Sequence, residues 1–428
     1  MNNLVIICAI LLLVLLFLKV PVYIAVLSAS AVYFIGTPGM NLSIFAQKTI
    51  SGAEGLSLLA IPFFVCAGIF MNYTGVTKRI MNCCEVLTAR MPGGLAQVNI
   101  LLSTLMGGLS GSSLADAAMQ CKMLVPTMDS KGYSKSFSTV ITAASGMVVP
   151  LIPPGVGLII YGCINNISIG KLFIAGIGPG IVLCVTLMIF THFLSKKRGY
   201  LPSRTTKIPV SEKIAAVRPA FLPLLLPIII IGGVRIGVFT ASEAGTVAIV
   251  YAVLLGLLYK ELTLKNVMQG CKETVTTTAS IMLIVAAATC FSWILTKEQI
   301  PQQFSQWMIS NIHNKYVFLI MVNIFLLIVG MFIEGNASMI VLAPLLHPVA
   351  MAYGIDDIHF AMVYIFNCTI GAFTPPMGTL MFVSCGITKC PTKDFIKEAV
   401  PFYILFAIDI IVLTYIPQLT TFLVNVFY

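Results

Sequence analysis

The sequence predicts an all-α integral membrane protein made of two inverted structural repeats, each with a re-entrant helical hairpin and a transmembrane helix broken at a Pro-Pro pair. Three observations carry that expectation. The chain has 428 residues, of which 58% are apolar and 9% charged, whereas soluble domains are roughly 25% charged. A shift of 222 residues lays Gly330 to Ser338 over the stretch MGGLSGSSLAD at Met106 to Asp116, and Pro126 over Pro348, Gly132 over Gly354 and Pro153-Pro154 over Pro375-Pro376. Finally, basic residues divide unequally between alternate loops, which distinguishes the two faces of the membrane.

Taken in order, apolar segments long enough to cross all or half of roughly 30 Å of hydrocarbon fall at 4–18, 22–36, 56–73, 95–110 with 112–128, 136–150 with 155–167, 172–195, 219–236, 243–259, 275–295, 316–333 with 336–353, 359–373 with 377–388, and 400–426. The first has neither a preceding basic residue nor a small-x-small cleavage site, so it reads as a retained helix rather than a signal peptide. The more polar stretches 38–54, 74–92, 260–274 and 297–314 read as interfacial amphipathic arms or as plain connections. The linker at 196–218 holds seven basic residues and one acid and is placed in the cytoplasm.

If 95–128 and 316–353 enter and leave on one side, Lys19, the linker charges and the other cytoplasmic residues total nineteen basic side chains against five outside, with Lys122 inside a hairpin. The two hairpins then open to opposite faces, and the N-terminus lies outside. Because the +10 net charge sits between apolar segments, it sets topology and implies no nucleic-acid partner. Twelve cysteines without a CxxC suggest neither a zinc site nor a disulfide framework.

Main-chain polar groups cannot be left bare in hydrocarbon, so a helix breaks at membrane depth only beside protein or a water-filled cavity. Interruptions are expected at Gly107 to Ser113, Pro150 to Gly155, Gly335-Asn336 and Thr374 to Gly378. Half-helix N-termini there offer a positive end to an anion, and half-helix C-termini offer carbonyls to a cation. Ser110, Gly111, Ser112 and Ser113 in one copy, and Gly335, Asn336, Thr374, Pro375 and Gly378 in the other, supply oxygen and no thiolate, which suits a hard cation such as sodium. Small residues at such points also serve close helix packing. Paired broken elements in corresponding positions mark a transporter's binding site.

Charged groups within the spans are costly. Asp116 reads either as a helix cap or as a group that handles ligand or proton; Glu334 reads as a cavity-facing or structural carboxylate. Lys122 can pair with Asp116 or reach the surface. His347 fits a core histidine, and Asp409 a helix contact.

The strings PFFVCAGIFMNYTGVTKRIM, MPGGLAQVNILLSTLMGGLSGSSLADAA, VPTMDSKGYSKSFSTVITAASGMVVPLIPPGVGLIIYG and GMFIEGNASMIVLAPLLHPVAMAYGIDDIHFAMVYIFNCTIGAFTPPMG resemble the large membrane subunit of the tripartite ATP-independent periplasmic (TRAP) transporters. The resemblance implies a sodium-driven secondary transporter of the bacterial inner membrane that takes up organic anions such as C4-dicarboxylates, sialic acids or sulfonates. It implies a periplasmic binding protein and a separate small four-helix membrane subunit as partners, Na+ as the coupling ion, and an elevator-type architecture with scaffold and transport domains.

On that pattern the first repeat is 1–195, with scaffold helices at 1–91, hairpin and broken helix at 92–170 and a spanning helix at 171–195. After the 196–218 linker the second repeat is 219–428, divided into 219–315, 316–388 and 389–428. Carried over, Ser112, Ser113, Asp116, Pro153, Gly155, Glu334 and Asn336 belong to the substrate site. The chain departs from the family at Glu334, where aspartate is common, at Gly155, where serine is common, and at Lys122, on an arm that is commonly apolar. A partner-independent symporter is the alternative; an enzyme is disfavoured because HExxH, GxSxG and paired catalytic carboxylates are absent.

Overall fold

The computed structural model describes residues 3–18, 20–204, 206 and 208–428. Two basic residues counted above, Lys19 and Lys207, lie outside the described residues. Among the described residues there are 21 α-helices and no strand.

In the first half, α1 (Asn3–Phe17) and α2 (Val22–Gly36) are followed by α3 (Leu42–Ser51), which Asn41 caps and which buries no residue. That exposure suits an arm in the headgroup region. Helices α4 (Ala60–Asn72) and α5 (Val76–Thr88) meet at a 68° bend at Gly75, whose backbone is left-handed with φ 67°. Next come α6 (Gly94–Ser110), α7 (Ser113–Met123), α8 (Val125–Ser130), α9 (Lys135–Gly146), α10 (Val156–Asn165) and α11 (Ile169–Arg198). Ser134 and Ser168 cap α9 and α11, and Lys196, Lys197 and Arg198 close α11 where cations favour a helix C-terminus.

The second half opens with α12 (Val210–Ile236), then α13 (Ala241–Leu258), begun by a Thr240/Glu243 capping box, α14 (Leu264–Lys297) and α15 (Ile300–Asn311). Then follow α16 (Lys315–Phe332), α17 (Gly335–Ala352), α18 (Asp357–Phe373), α19 (Thr379–Thr388), α20 (Thr392–Tyr415) and α21 (Gln418–Phe427). Six of these helices are long and apolar enough to cross a bilayer, and up to eight spans result if each of two bent pairs counts as one. The protein is therefore an integral membrane protein with multiple spans.

Several elements differ from expectation. No arm separates at 260–274: α14 is continuous over 34 residues, because no proline interrupts it and Thr274 and Thr276 return their hydroxyls to the carbonyls of Gly270 and Lys272. At 1.5 Å per residue it is about 51 Å long, so its polar first turns extend well past the hydrocarbon. The span expected at 400–426 bends by 48° between α20 and α21, where Pro417 supplies no donor. Residues 107–110 stay helical, and the first break shrinks to Gly111-Ser112; likewise Gly335 and Asn336 open α17 rather than interrupting it.

A single large apolar core joins both halves through Phe137, Tyr161, Phe173, Tyr364, Phe366 and Phe402, and a smaller one holds α1 and α2 against the end of α14. Large apolar side chains such as Phe193, Ile228, Ile404 and Ile411 face outward, as a lipid-facing surface requires. Helices α16 and α18 come together at Gly330 and Gly371, where a Cβ on Gly371 would sit 2.6 Å from the Gly330 Cα.

The chain between α11 and α12 does not hang free. Gly93 N donates to Tyr200 O at 3.1 Å and Arg204 N to Ala89 O at 2.9 Å. The Tyr200 ring stacks 4.4 Å from Tyr133, and Arg198 pairs with Glu398 at 2.6 Å.

Replacing Gly371 by leucine should force α16 and α18 apart and destabilise the protein by about 1–3 kcal/mol. Gly386, whose Cβ position is open, serves as the control: alanine there should leave stability equal or raised by up to about 1 kcal/mol. Thermal unfolding of the two variants in detergent is the measurement.

Candidate functional site

Two helix breaks, distant in sequence, face one cavity. The first runs from Ser110, the last residue of α6, through Gly111 to Ser112, the N-cap of α7. Gly111 takes φ 61°, and Ser112 accepts from Ala115 N at 3.4 Å. Only glycine reverses the chain there without a Cβ penalty, and a Cβ would in addition lie 2.8 Å from Pro154 O. The second break runs from Ile333 to Glu334, whose carboxylate caps α17 by accepting from Ala337 N at 3.2 Å. Ser112 and Glu334 are thus both N-caps, 222 residues apart.

The cavity between them has a volume of ≈ 190 Å³, with Ser110, Gly111, Ser112, Ser113, Glu334, Gly335 and Asn336 in its wall. Beside them stand Pro150 in the turn before the Pro-Pro pair, Val156 and Gly157 at the start of α10, and Thr379 at the start of α19. Val156 N donates a long 3.4 Å bond to Gly111 O, tying the first break to α10. A second, more apolar cavity of ≈ 530 Å³ adjoins, sharing Leu114, Glu334 and Thr379 and bounded by Val20 to Val22 and Phe382.

Other expected site residues stand behind this wall. Pro153, Gly155, Pro375 and Gly378 form the turns that start α10 and α19 without lining the cavity; both Pro-Pro bonds are cis. Gly378 N donates to Thr374 O at 3.1 Å, and the Thr374 hydroxyl donates to Ile370 O at 2.8 Å. Asp116 is 2% exposed and turned away: Ser103 Oγ donates to it at 2.6 Å and Gln120 Nε2 at 2.8 Å. Lys122 is exposed, and it takes no part in either ion pair found among the described residues. His347 meets the Tyr161 hydroxyl at 3.3 Å, and Asp409 accepts from Thr186 at 3.0 Å, as core contacts.

The opposite wall was not foreseen. Val65, Gly68, Ile69 and Asn72 of α4 and Thr277 and Ile281 of α14 complete the cavity. A Cβ on Gly68 would fall 2.8 Å from Ser110 O, so α4 passes directly against the end of α6. A polar Asn72 at the end of an apolar helix and the run TVTTTAS at 274–280 were the available signals.

The donor set limits what can bind. No cluster of three or more His, Cys, Asp or Glu occurs among the described residues, which disfavours a transition-metal centre. Hydroxyl, amide and main-chain oxygens gather at the breaks instead, and the buried Ser110 Oγ has no hydrogen-bond partner. Oxygen donors gathered at the breaks suit a hard cation such as sodium, while the wall also carries the Cys368 thiol.

Broken helices meeting around a small cavity, inside a protein of multiple membrane spans, are the architecture of a membrane transporter. The chain belongs to the family described as "Tripartite ATP-independent periplasmic transporter, DctM component", which matches residues 9–419. Among its relatives, the sialic acid TRAP transporter large permease protein SiaM of Vibrio cholerae is 39% identical, covering 96% of each chain. The C4-dicarboxylate TRAP transporter large permease protein DctM of Pseudomonas aeruginosa is 36% identical over 89% of each. The 2,3-diketo-L-gulonate TRAP transporter large permease protein YiaN of Escherichia coli is 35% identical, covering 93% of this chain and 94% of its own. In fold the chain is similar to the YdaH transporter of Alcanivorax borkumensis, with a TM-score of 0.60 at 13% identity over 96% of this chain and 97% of that one.

Asp116→Ala should cost about 1–3 kcal/mol of stability, since it leaves buried donors of Ser103 and Gln120 without their acceptor. Lys122→Gln, at an exposed position, should change stability by less than about 0.5 kcal/mol. Thermal unfolding of both variants checks the contrast.

Proposed function

We propose that this chain is the large membrane subunit of a sodium-coupled secondary transporter that takes up a small organic anion. The observation that carries the reading is the meeting of Ser110 to Ser113 with Glu334 to Asn336 around one cavity. Sodium is held by the hydroxyls and carbonyls of Ser110, Gly111, Ser112 and Ser113, and by those of Gly335, Asn336, Thr374, Pro375 and Gly378. The anion lies against Ser112, Ser113, Asn336 and Glu334, while Pro153, Gly155 and Asp116 hold the wall from behind. Relatives named for sialic acid, a C4-dicarboxylate, 2,3-diketo-L-gulonate and isethionate support a carboxylate or a sulfonate as the substrate.

The two halves act as inverted repeats, with α6–α7 and α16–α17 as re-entrant hairpins open to opposite faces. Three features support this: the matched N-caps Ser112 and Glu334, the paired Pro-Pro turns, and a recurring polar clamp within each half. In that clamp Ser145 Oγ donates to Asn99 Oδ1 at 3.1 Å, and Asn367 Nδ2 donates to Asn323 Oδ1 at 2.8 Å; Ser145 and Asn367 are again 222 residues apart. The hairpins and broken helices move as one transport domain against a scaffold built from α1–α5 and α12–α15, in the manner of an elevator. Coupling arises because a ligand shifts such an equilibrium only by its differential affinity for the two states.

The basic-residue asymmetry supports a cytoplasmic 196–218 linker and a periplasmic N-terminus, in a bacterial inner membrane. A separate small four-helix membrane subunit and a periplasmic binding protein that delivers the anion complete the assembly.

The test is uptake into proteoliposomes holding the chain and its small partner, with the substrate-loaded binding protein supplied outside, under an imposed sodium gradient. Ser112→Leu and Asn336→Leu should each lower uptake at least about tenfold, the scale of losing one or more ligating contacts, while leaving the protein folded, with loss of the Ser112 cap costing about 0.5–2 kcal/mol. Uptake indifferent to sodium, or full activity in both variants, would defeat the proposal. Uptake by the chain without its partners would favour a self-sufficient symporter.

A further inference from the structure

We infer that the outward face of α11 and α20 seats an anionic phospholipid, its phosphate between Lys197 and Lys397 and its acyl chains along the apolar groove that the two helices share. The inference is independent of which solute the cavity takes.

The two helices run side by side in opposite directions. Thr186 bonds to Asp409 at 3.0 Å, the Phe190 and Phe402 rings meet edge to face with centroids 5.0 Å apart, and Arg198 pairs with Glu398 at 2.6 Å. Positions rising along α11 thus meet positions falling along α20. Lys197 and Lys397 each stand one residue before the bridged pair, about 100° back round their helices. Between antiparallel helices that rotation carries both to the same side, so the two lysines flank one seam.

The exposed apolar residues take that side as well. Ile181, Val185, Ile189 and Phe193 recur every four residues on α11 up to Lys197, and Val400, Ile404, Ile408 and Ile411 continue from Lys397 along α20. At 1.5 Å per residue the stripe from Ile181 to Phe193 is about 18 Å long, close to the roughly 15 Å depth of one leaflet's hydrocarbon. The lysines therefore stand at headgroup level over a single leaflet, the cytoplasmic one on the proposed orientation.

The charge at this end exceeds what the helices need. Lys196, Lys197, Lys393 and Lys397 are all exposed, and the carboxylate among them outside the Arg198 and Glu398 bridge is Asp394. Lys196 and Lys197 suit the C-terminus of α11, which favours cations. Lys393 and Lys397 lie instead in the first turns of α20, where the helix end is itself positive and Pro391 supplies no side-chain cap. Lysines set against that end are relieved by an anion placed between them. At this depth in a bilayer the anion is a lipid phosphate. A zwitterionic headgroup carries its own ammonium and gains less.

The experiment is native mass spectrometry of the full-length chain, titrated in detergent with dioleoyl phosphatidylglycerol or dioleoyl phosphatidylethanolamine. Wild type is expected to bind phosphatidylglycerol at least about fivefold more tightly, the scale of one basic residue near an anionic surface. The double variant Lys197→Gln with Lys397→Gln should lower phosphatidylglycerol affinity at least about tenfold and leave phosphatidylethanolamine unchanged. Lys265→Gln with Lys272→Gln, two exposed lysines of α14, should change neither affinity by more than about twofold. All four substitutions alter exposed side chains, so each variant stays folded.

Equal affinity of wild type for the two lipids, or undiminished phosphatidylglycerol binding in the Lys197 and Lys397 variant, overturns the inference. Displacement of the lipid by glycerol 1-phosphate at equal concentration would reveal a phosphate site without a lipid seat and overturns it too, as would a dimer that the same two substitutions dissolve.

Discussion

Peptide groups stripped of helical partners cannot face hydrocarbon, and this constraint shapes the protein more than any single contact. Each break is lodged where a nearby group replaces what the helix gave up. Gly111 O receives Val156 N, Ser112 and Glu334 cap the helices they precede, and Gly378 N turns back on Thr374 O. The cavity is a by-product of that packing, since four helix ends brought together leave space at their centre. The groups that must be satisfied for stability and those available to a ligand are therefore drawn from the same few residues.

Much of this was legible because breaks announce themselves. Glycine beside serine, and proline doubled within an apolar run, contradict the helix around them, and their recurrence at one spacing ties distant segments together. The register held at the level of single caps, with Ser112 and Glu334 in equivalent places. Seven of the expected residues, from Ser110 to Ser113 and from Glu334 to Asn336, face one cavity for that reason.

What stayed hidden has equally physical causes. A carboxylate in a first helical turn, such as Asp116, can point to either side of its helix, and only packing decides. Here α6 offered Ser103, and Gln120 one turn further on completed a closed polar contact away from the cavity. The wall formed by α4 and α14 carries no break and no charge at the cavity, so its signals were weak: one asparagine closing an apolar helix and a threonine-rich run at 274–280. Continuity was misjudged in α14 because a change of polarity resembles a boundary. In a helix about 51 Å long it marks only the depth at which lipid gives way to water.

The segment joining α11 to α12 is a strap, bonded to Ala89 and Gly93 and stacked on Tyr133. During synthesis the surface it covers is made first and waits uncovered until residues 199–204 emerge from the ribosome. The first half of the chain cannot reach its finished form alone, and two polypeptides severed within the strap would have to recover by association what a continuous chain obtains by tethering.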